Sequence, residues 1–385
     1  MEMEVNGTEL EATRCQISDD QINFYDRYAW WLKGIASVSI AVLGIVLNLI
    51  AVYILCHKEM RESFFHRLLI CLTIVDSLFL ANGIYVSLVL RLIEPSSRSL
   101  QYIFVSALYP ARDILMCSSI YMTVGLSYER YTSIVRPYLQ LVRRKKNSLR
   151  RLFSYVTPVI VFSILFNAPK FFELKLVNRI IECHDTTKNQ AKKTGCIPIL
   201  EISPTDLRND KAYILWYLNV ANLMVTSIIP GLLLSFFNYR IYSASRERHQ
   251  KRAKVFSRGD QQSGNDTKVD GEIKQRFVLF AIVVMFFICH LLRIALNVAE
   301  LVDTEMKQEQ WNKGCPGIRF WGMIAVPISG VMLQINSCAD FFIYCIYDKL
   351  FKDTLSSYIP SRLRSNDHLT ASSSVEEKIE MKNAI

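Results

Sequence analysis

The apolar residues of this chain are gathered into long blocks rather than spread at amphipathic spacing, and that pattern limits the fold more than any other feature. The blocks run approximately Ala29–Cys56, Arg67–Leu92, Leu100–Val135, Leu152–Glu173, Ala212–Ser243, Gln275–Leu301 and Phe320–Ile346. A stretch of roughly twenty apolar residues, rising about 1.5 Å each, crosses a hydrocarbon core of about 30 Å. Lipid offers no water to unpaired N–H and C=O groups, so each block is forced to be helical. The expected fold is therefore all-α, a seven-transmembrane helix bundle held in a lipid bilayer. The third block is the weakest by hydropathy, because Arg112, Asp113, Glu129 and Arg130 interrupt it. A formal charge of +10 would suggest nucleic acid in a soluble protein. Here the basic residues fall between the blocks, which points to the membrane surface and to no nucleic-acid partner.

The charge distribution orients the bundle. Of the 45 Lys and Arg residues, 26 lie in Cys56–Arg67, Arg136–Arg151, Arg240–Arg276 and the tail after Tyr347. Positive-inside bias puts these segments in the cytoplasm and the N-terminus outside. Seven basic residues in Lys175–Lys211 run against the bias, although five carboxylates interleave with them. Residues 1–28 are acidic and polar and carry no cleavable signal peptide, so the first span is expected to act as its own insertion signal. Asn6-Gly7-Thr8 is a glycosylation acceptor on the outer side, whereas Asn265-Asp266-Thr267 falls inside and should stay unmodified. The expected division is an extracellular segment 1–28, a seven-transmembrane bundle 29–346, an amphipathic helix 347–358 and a disordered cytoplasmic tail 359–385. Cys56, Cys71, Cys117, Cys289, Cys338 and Cys345 lie in or near spans, where thiols pack as small hydrophobes. Cys15, Cys183, Cys196 and Cys315 all fall in outer segments, where disulfides form.

Polar residues inside the spans reach further than topology. The foot of the third span reads Glu129-Arg130-Tyr131 and is followed by Arg136-Pro137. Gly44 and Asn48 stand in the first span, Leu72 and Asp76 in the second, and Pro230 in the fifth. The last span reads Asn336-Ser337-Cys338-Ala339-Asp340-Phe341-Phe342-Ile343-Tyr344, ahead of the short amphipathic eighth helix at Asp348-Lys349-Leu350-Phe351-Lys352. In that order on seven spans, these residues resemble the landmarks of rhodopsin-like (class A) G-protein-coupled receptors, over roughly residues 29–358. More narrowly, Asn167-Ala168-Pro169-Lys170-Phe171-Phe172-Glu173 and Cys289-His290-Leu291-Leu292-Arg293 resemble invertebrate FMRFamide-type neuropeptide receptors, as does a seventh span with Phe341 in place of the family's proline. Further departures are His290 for a usual Trp, Leu292 for a usual Pro and Asn238 for a Tyr that normally joins Tyr344.

The resemblance implies three sites. Glu129, Arg130, Tyr131 and Tyr344 would form the G-protein switch, with the acid holding the guanidinium at rest and a moving sixth span releasing it. Asp76, Ser119, Asn336, Ser337 and Asp340 occupy positions that hold a sodium ion in the family, and oxygen ligands suit a hard cation. A hydrated polar network without an ion is the alternative. Independently of any family, Arg112, Ser119 and Arg130 are spaced seven and eleven apart and share one helix face. The outer ends of the spans supply a ligand pocket of Tyr109, Arg112, Asp113, Glu173, Phe286, His290, Arg293, Glu300 and Trp321. Arg112 stands where amine receptors carry Asp, and the seventh span has no lysine for a retinal Schiff base. Asp113 or Glu173 would pair with a basic residue of the ligand, or else Glu173 with Arg112. Phe286 and Arg293 share a face, which places His290 in the core below the ligand. With Val105 where the family has the cysteine heading span three, the expected bridges are Cys183–Cys196 and Cys15–Cys315, crossed pairings such as Cys15–Cys183 being the alternative. Ser365, Thr370, Ser372, Ser373 and Ser374 are expected phosphorylation sites for arrestin docking.

The implied function is that of a non-enzymatic plasma-membrane receptor, binding a short amidated peptide outside and activating a heterotrimeric G protein inside. A receptor for a small amino-acid-like molecule and a membrane transporter are the competing readings. No internal repeat, broken-helix pair or nucleophile–base pair supports a transporter or an enzyme.

Overall fold

In the computed structural model, residues 19–61, 63–88, 98–136, 138, 148–180, 198–256, 266–302, 320–347 and 349–358 are described. Six helices in this set are long and apolar enough to cross a bilayer: α1 (Asp20–Leu55), α2 (Phe64–Ser87), α3 (Gln101–Val135), α4 (Leu149–Phe172), α5 (Tyr213–Arg248) and the first part of α7 (Phe320–Tyr347). Between the last two lies α6 (Asp266–Val302), whose apolar stretch is shorter, Val283–Ala299. A final helix, α8 (Lys349–Tyr358), follows α7 and packs against α7 and α1. Several ends pass the apolar blocks. The first helix starts at Asp19, inside the segment expected to be an outer tail, and α5 continues to Phe256. Hydropathy marks only where lipid begins and ends. Backbone hydrogen bonding carries a helix beyond it through good helix formers such as the Arg246–Arg252 run.

The bundle closes on itself. α1 packs on α2, α2 on α3, α3 on α4 and α5, α5 on α6, α6 on α7, and α7 back on α1. The α1–α7 crossing depends on Gly44: a Cβ there would lie 2.2 Å from Cys338 Sγ and 2.8 Å from Leu80 Cδ1. Polar ties repeat at that seam. Asn48 Nδ2 donates to the Ser337 carbonyl at 3.2 Å, Tyr28 OH to the Ile324 carbonyl at 3.0 Å, and Ser37 Oγ to Gln334 Oε1 at 3.1 Å. Apolar clusters fill the rest, one around Leu72, Met122, Leu126 and Phe351, a second around Phe79, Ile120, Leu234 and Phe286, and a small third around Tyr131 and Ile241.

Helix irregularities have identifiable causes. Wider π-type turns occupy Trp30–Ala36 in α1, Phe104–Leu108 in α3, and Tyr213–Ala221 and Met224–Ile228 in α5. Such turns bend helices as proline does, and Pro158 and Pro327 lie inside α4 and α7. The fold is not wholly helical. β1 (Leu174–Ile180) and β2 (Pro198–Pro204) form an antiparallel ladder in the register Leu174↔Pro204 to Ile180↔Pro198. It leaves the end of α4 and is anchored where Thr205 N donates to the Glu173 carbonyl at 2.9 Å.

Candidate functional site

At the hairpin end of the bundle, one carboxylate organises three helices. Glu173 is fully buried. Its Oε2 accepts from Tyr109 OH of α3 at 2.5 Å and its Oε1 from Tyr213 OH of α5 at 2.7 Å. Lys170 Nζ lies 3.3 Å from Oε1, and Arg208 Nε lies 3.8 Å from Oε2. Lys170 also reaches Asp113 Oδ2 at 3.5 Å and sits over the Tyr109 and Tyr217 rings. Burial of such charges is tolerable only because every one has partners. Glu173 is thus an anchor within the protein, and its cationic partners are Lys170 and Arg208 in place of the expected Arg112. Lys170 reaches it from the second residue past the Asn167–Ala168 corner at the end of α4.

Arg112, one residue before Asp113, is left otherwise. Among the described residues it has neither a hydrogen bond nor an ion pair, and its guanidinium lies near Gly330 of α7. It borders a cavity of about 280 Å³ among α1, α2, α3 and α7, whose walls include Lys33, Ser37, Phe104, Tyr109 and Gln334. Lys33 Nζ donates to Tyr25 OH at 3.1 Å. Among the described residues, two cations and no carboxylate border this space. Lys33 and Gln334 escaped the sequence reading: a lone lysine near a helix end looks like a headgroup anchor, and a lone glutamine looks like any interior polar residue.

On α6, His290 Nδ1, Arg293 Nε and Asn297 Nδ2 are buried without a hydrogen-bond partner. Their spacing of three and four puts them on one face, and that face meets α3, because Arg293 Nη1 approaches Met116 Sδ at 3.1 Å. Asp113 feels the charge of both Arg293 and Arg112. His290 stacks on Phe286 with ring centroids 4.2 Å apart, in the core as expected. Trp321, by contrast, is 45% exposed at the start of α7 and does not line the cavity. The side chain of Glu300 lies outside the described residues.

Midway along the bundle, buried Asp76 accepts from Ser119 Oγ at 2.6 Å and is also hydrogen-bonded by Ser337. Three of the five expected sodium ligands therefore meet, each an oxygen donor. Asn336 is half-buried, and the Asp340 side chain lies outside the described residues.

At the opposite end, Arg130 Cζ lies 3.4 Å from the centre of the Phe65 ring. Glu129 Oε1 is 2.5 Å from Arg151 Nη2 at the head of α4, and Tyr155 OH stands 3.4 Å from its Oε2. The acid expected to hold Arg130 is held by α4. Tyr131 is buried against Phe236 and Phe237 of α5. Asn238 turns back on its own helix, donating to the Leu234 carbonyl at 2.8 Å, and Arg248 donates to the Ile134 carbonyl. The Tyr344 side chain, Cys15, Cys183, Cys196, Cys315, Asn6, Ser365, Thr370, Ser372, Ser373 and Ser374 lie outside the described residues. Cys117, Cys289 and Cys338 are buried and carry no disulfide.

The comparisons with known proteins agree with one another. The family model described as 7 transmembrane receptor (rhodopsin family) matches residues 47–344. The chain is 26% identical over 334 residues to the FMRFamide receptor of Drosophila melanogaster, a match covering 85% of this chain and 53% of that one. It is 22% identical over 328 residues to the FMRFamide peptide receptor frpr-18 of Caenorhabditis elegans, covering 84% and 68% respectively. Against the probable G-protein coupled receptor frpr-1 of Caenorhabditis elegans it is 20% identical over 357 residues, covering 88% and 82%. The chain thus spans about half the length of the Drosophila protein.

Proposed function

The chain belongs to the rhodopsin family of seven-transmembrane receptors, and from that premise we propose that it is a plasma-membrane receptor for a short extracellular peptide of the FMRFamide type, which it answers by activating a heterotrimeric G protein. The observation that carries this reading is a set of polar groups at the hairpin end: Arg112, which has no hydrogen bond or ion pair among the described residues, and the buried Arg293 Nε and Asn297 Nδ2, which lack a hydrogen-bond partner. Buried polar atoms are seldom left unpaired in a finished structure, and these suit the carbonyls and terminal amide of a peptide. Phe104 and Phe79 at the cavity supply aromatic surface for its side chains. The relatives named for FMRFamide support the ligand class. Asp113, its side chain 22% exposed against none for Glu173, is the carboxylate that a basic ligand residue would reach.

Ligand binding at that end and G-protein binding at the Arg130 end are two biases on one two-state bundle. The N-terminus, with a glycan on Asn6, faces outward and the tail inward, where phosphorylated serines receive arrestin. Asp76, Ser119, Asn336, Ser337 and Asp340 form a sodium site; the buried carboxylate and two hydroxyls suit a small hard cation. The test is a ligand panel on receptor-expressing cells, with amidated peptides beside amino acids and amines and nucleotide exchange as the readout. Activation by amidated peptides is expected. Activation by an amino acid alone would favour a second reading, a small amino-acid-like ligand, which rests on the two cations and no carboxylate that line the cavity among the described residues.

A further inference from the structure

The polar lining of the cavity among α1, α2, α3 and α7 is sorted by charge. Its neutral groups satisfy one another: Gln334 Nε2 donates to Ser37 Oγ at 2.9 Å, and the Ser37 and Ser87 hydroxyls lie 3.2 Å apart. The two cations are not absorbed in this way. Lys33 on α1 spends one N–H donor on Tyr25 OH at 3.1 Å and has others to offer. Arg112 on α3 is exposed in the cavity wall, and its Nη2 lies 3.7 Å from where a Cβ on Gly330 would stand. The carboxylate next to it on α3, Asp113, already has Lys170 at 3.5 Å and feels the charge of Arg293. Apolar walls complete the space, Phe79 and Phe104 from α2 and α3, Val326 and Val331 from α7. A guanidinium and an ammonium thus line an apolar-walled space of about 280 Å³ in which the described residues place no carboxylate. Such a space has room for part of a ligand, oriented by its few polar groups.

We propose that this cavity is a carboxylate-binding subsite of the ligand site: it takes an acid borne on an apolar body, the acid met by Arg112 and Lys33 and the body by the two phenylalanines. The inference rests on the hairpin end being where ligand binds. A guanidinium holds a carboxylate through charge-assisted bonds in a fork geometry, and apolar walls strengthen that attraction by keeping the local dielectric low. An amidated C-terminus carries no charge, so in a peptide ligand the acid lies toward the other end; in a small ligand it is a free acid. Arg112 and Asp113, adjacent on α3 and opposite in charge, then select ligands that carry an acid as well as a base.

Full-length receptor in lipid nanodiscs, melted with phenylacetate or phenylacetamide at equal concentration and ionic strength, tests the cavity directly. The acid is expected to raise the melting temperature of the parent by about 2–4 °C and the amide by much less. That difference should vanish in Arg112→Gln, shrink in Lys33→Gln and persist in part in Arg112→Lys. Gly330→Leu fills the space beside Arg112 and leaves both charges in place, and it should abolish the difference too. Nucleotide exchange on a purified heterotrimer separates the two sources of the acid. N-succinyl-Phe-Met-Arg-Phe-amide should be about tenfold more potent than its uncharged succinamyl counterpart on the parent and equal to it on Arg112→Gln. Activation by a free amino acid, lost in Arg112→Gln, would put the acid on a small ligand instead. Equal stabilisation by acid and amide overturns the proposal, as does an acid effect that survives both Arg112→Gln and Gly330→Leu. Two peptides of equal potency beside an inert amino acid overturn it as well. If no peptide drives exchange by the parent, the peptide reading fails separately, and the thermal comparison still decides the cavity.

Discussion

At the scale of single residues, the charges at the hairpin end divide into those paired within the protein and those that we propose meet a ligand. Glu173 belongs to the first kind. Replacing it with Ala leaves Lys170 and two tyrosine hydroxyls buried without their partner, which costs about 3–5 kcal/mol. Thermal unfolding should show a much larger loss than in Tyr213→Phe, where one hydrogen bond worth about 1–3 kcal/mol disappears. Arg112 belongs to the second kind. Arg112→Gln is expected to leave the melting temperature within a degree or two while weakening peptide activation, and a large loss of stability instead would place it in the fold. The sequence put Arg112, Asp113, Glu173 and Arg293 at the outer ends of their spans. It did not show which would pair. Lys170 became the partner of both carboxylates through the turn at Ala168–Phe172, a three-dimensional coincidence that no periodicity encodes.

At the scale of elements, the spans were legible because lipid imposes a length and a helical backbone on any apolar block. Their ends were not, since α1 and α5 run past the apolar residues on backbone hydrogen bonds alone. The hairpin was unreadable as strands for a related reason: Leu174–Ile180 mixes polar and apolar residues, and its pairing partner lies beyond a separate segment. Its register now brings Ile180 opposite Pro198, which supports the proposed Cys183–Cys196 bridge just past that pair. Non-reducing peptide mapping should recover those two cysteines in one linked fragment; a fragment joining Cys15 or Cys315 to either would refute the pairing. The α1–α7 seam gives a sharper stability test. Gly44→Val must push Cys338 and Leu80 aside, and overpacking of this kind costs about 1–3 kcal/mol. Surface expression should fall, and Cys338→Ala in the same chain should recover part of it.

At the scale of the whole molecule, three polar centres lie along α3: Tyr109 and Asp113 at the hairpin end, Ser119 with Asp76 midway, and Glu129 with Arg130 at the foot. A helix packed on α2, α4 and α5 couples these centres if it has two arrangements that ligand and G protein prefer differently. The middle centre offers a check on the resting arrangement. Replacing sodium with choline in the buffer should lower the melting temperature of the parent receptor by mass action and leave Asp76→Asn unchanged. An equal effect on both would count against a sodium site. The most direct measurement is nucleotide exchange on a purified heterotrimer by the parent receptor and by Arg130→Ala, with peptide binding measured on the same preparations. Peptide-driven exchange by the parent, lost in Arg130→Ala while binding persists, is the predicted result. Exchange by Arg130→Ala at the parent rate would contradict the assignment of the switch.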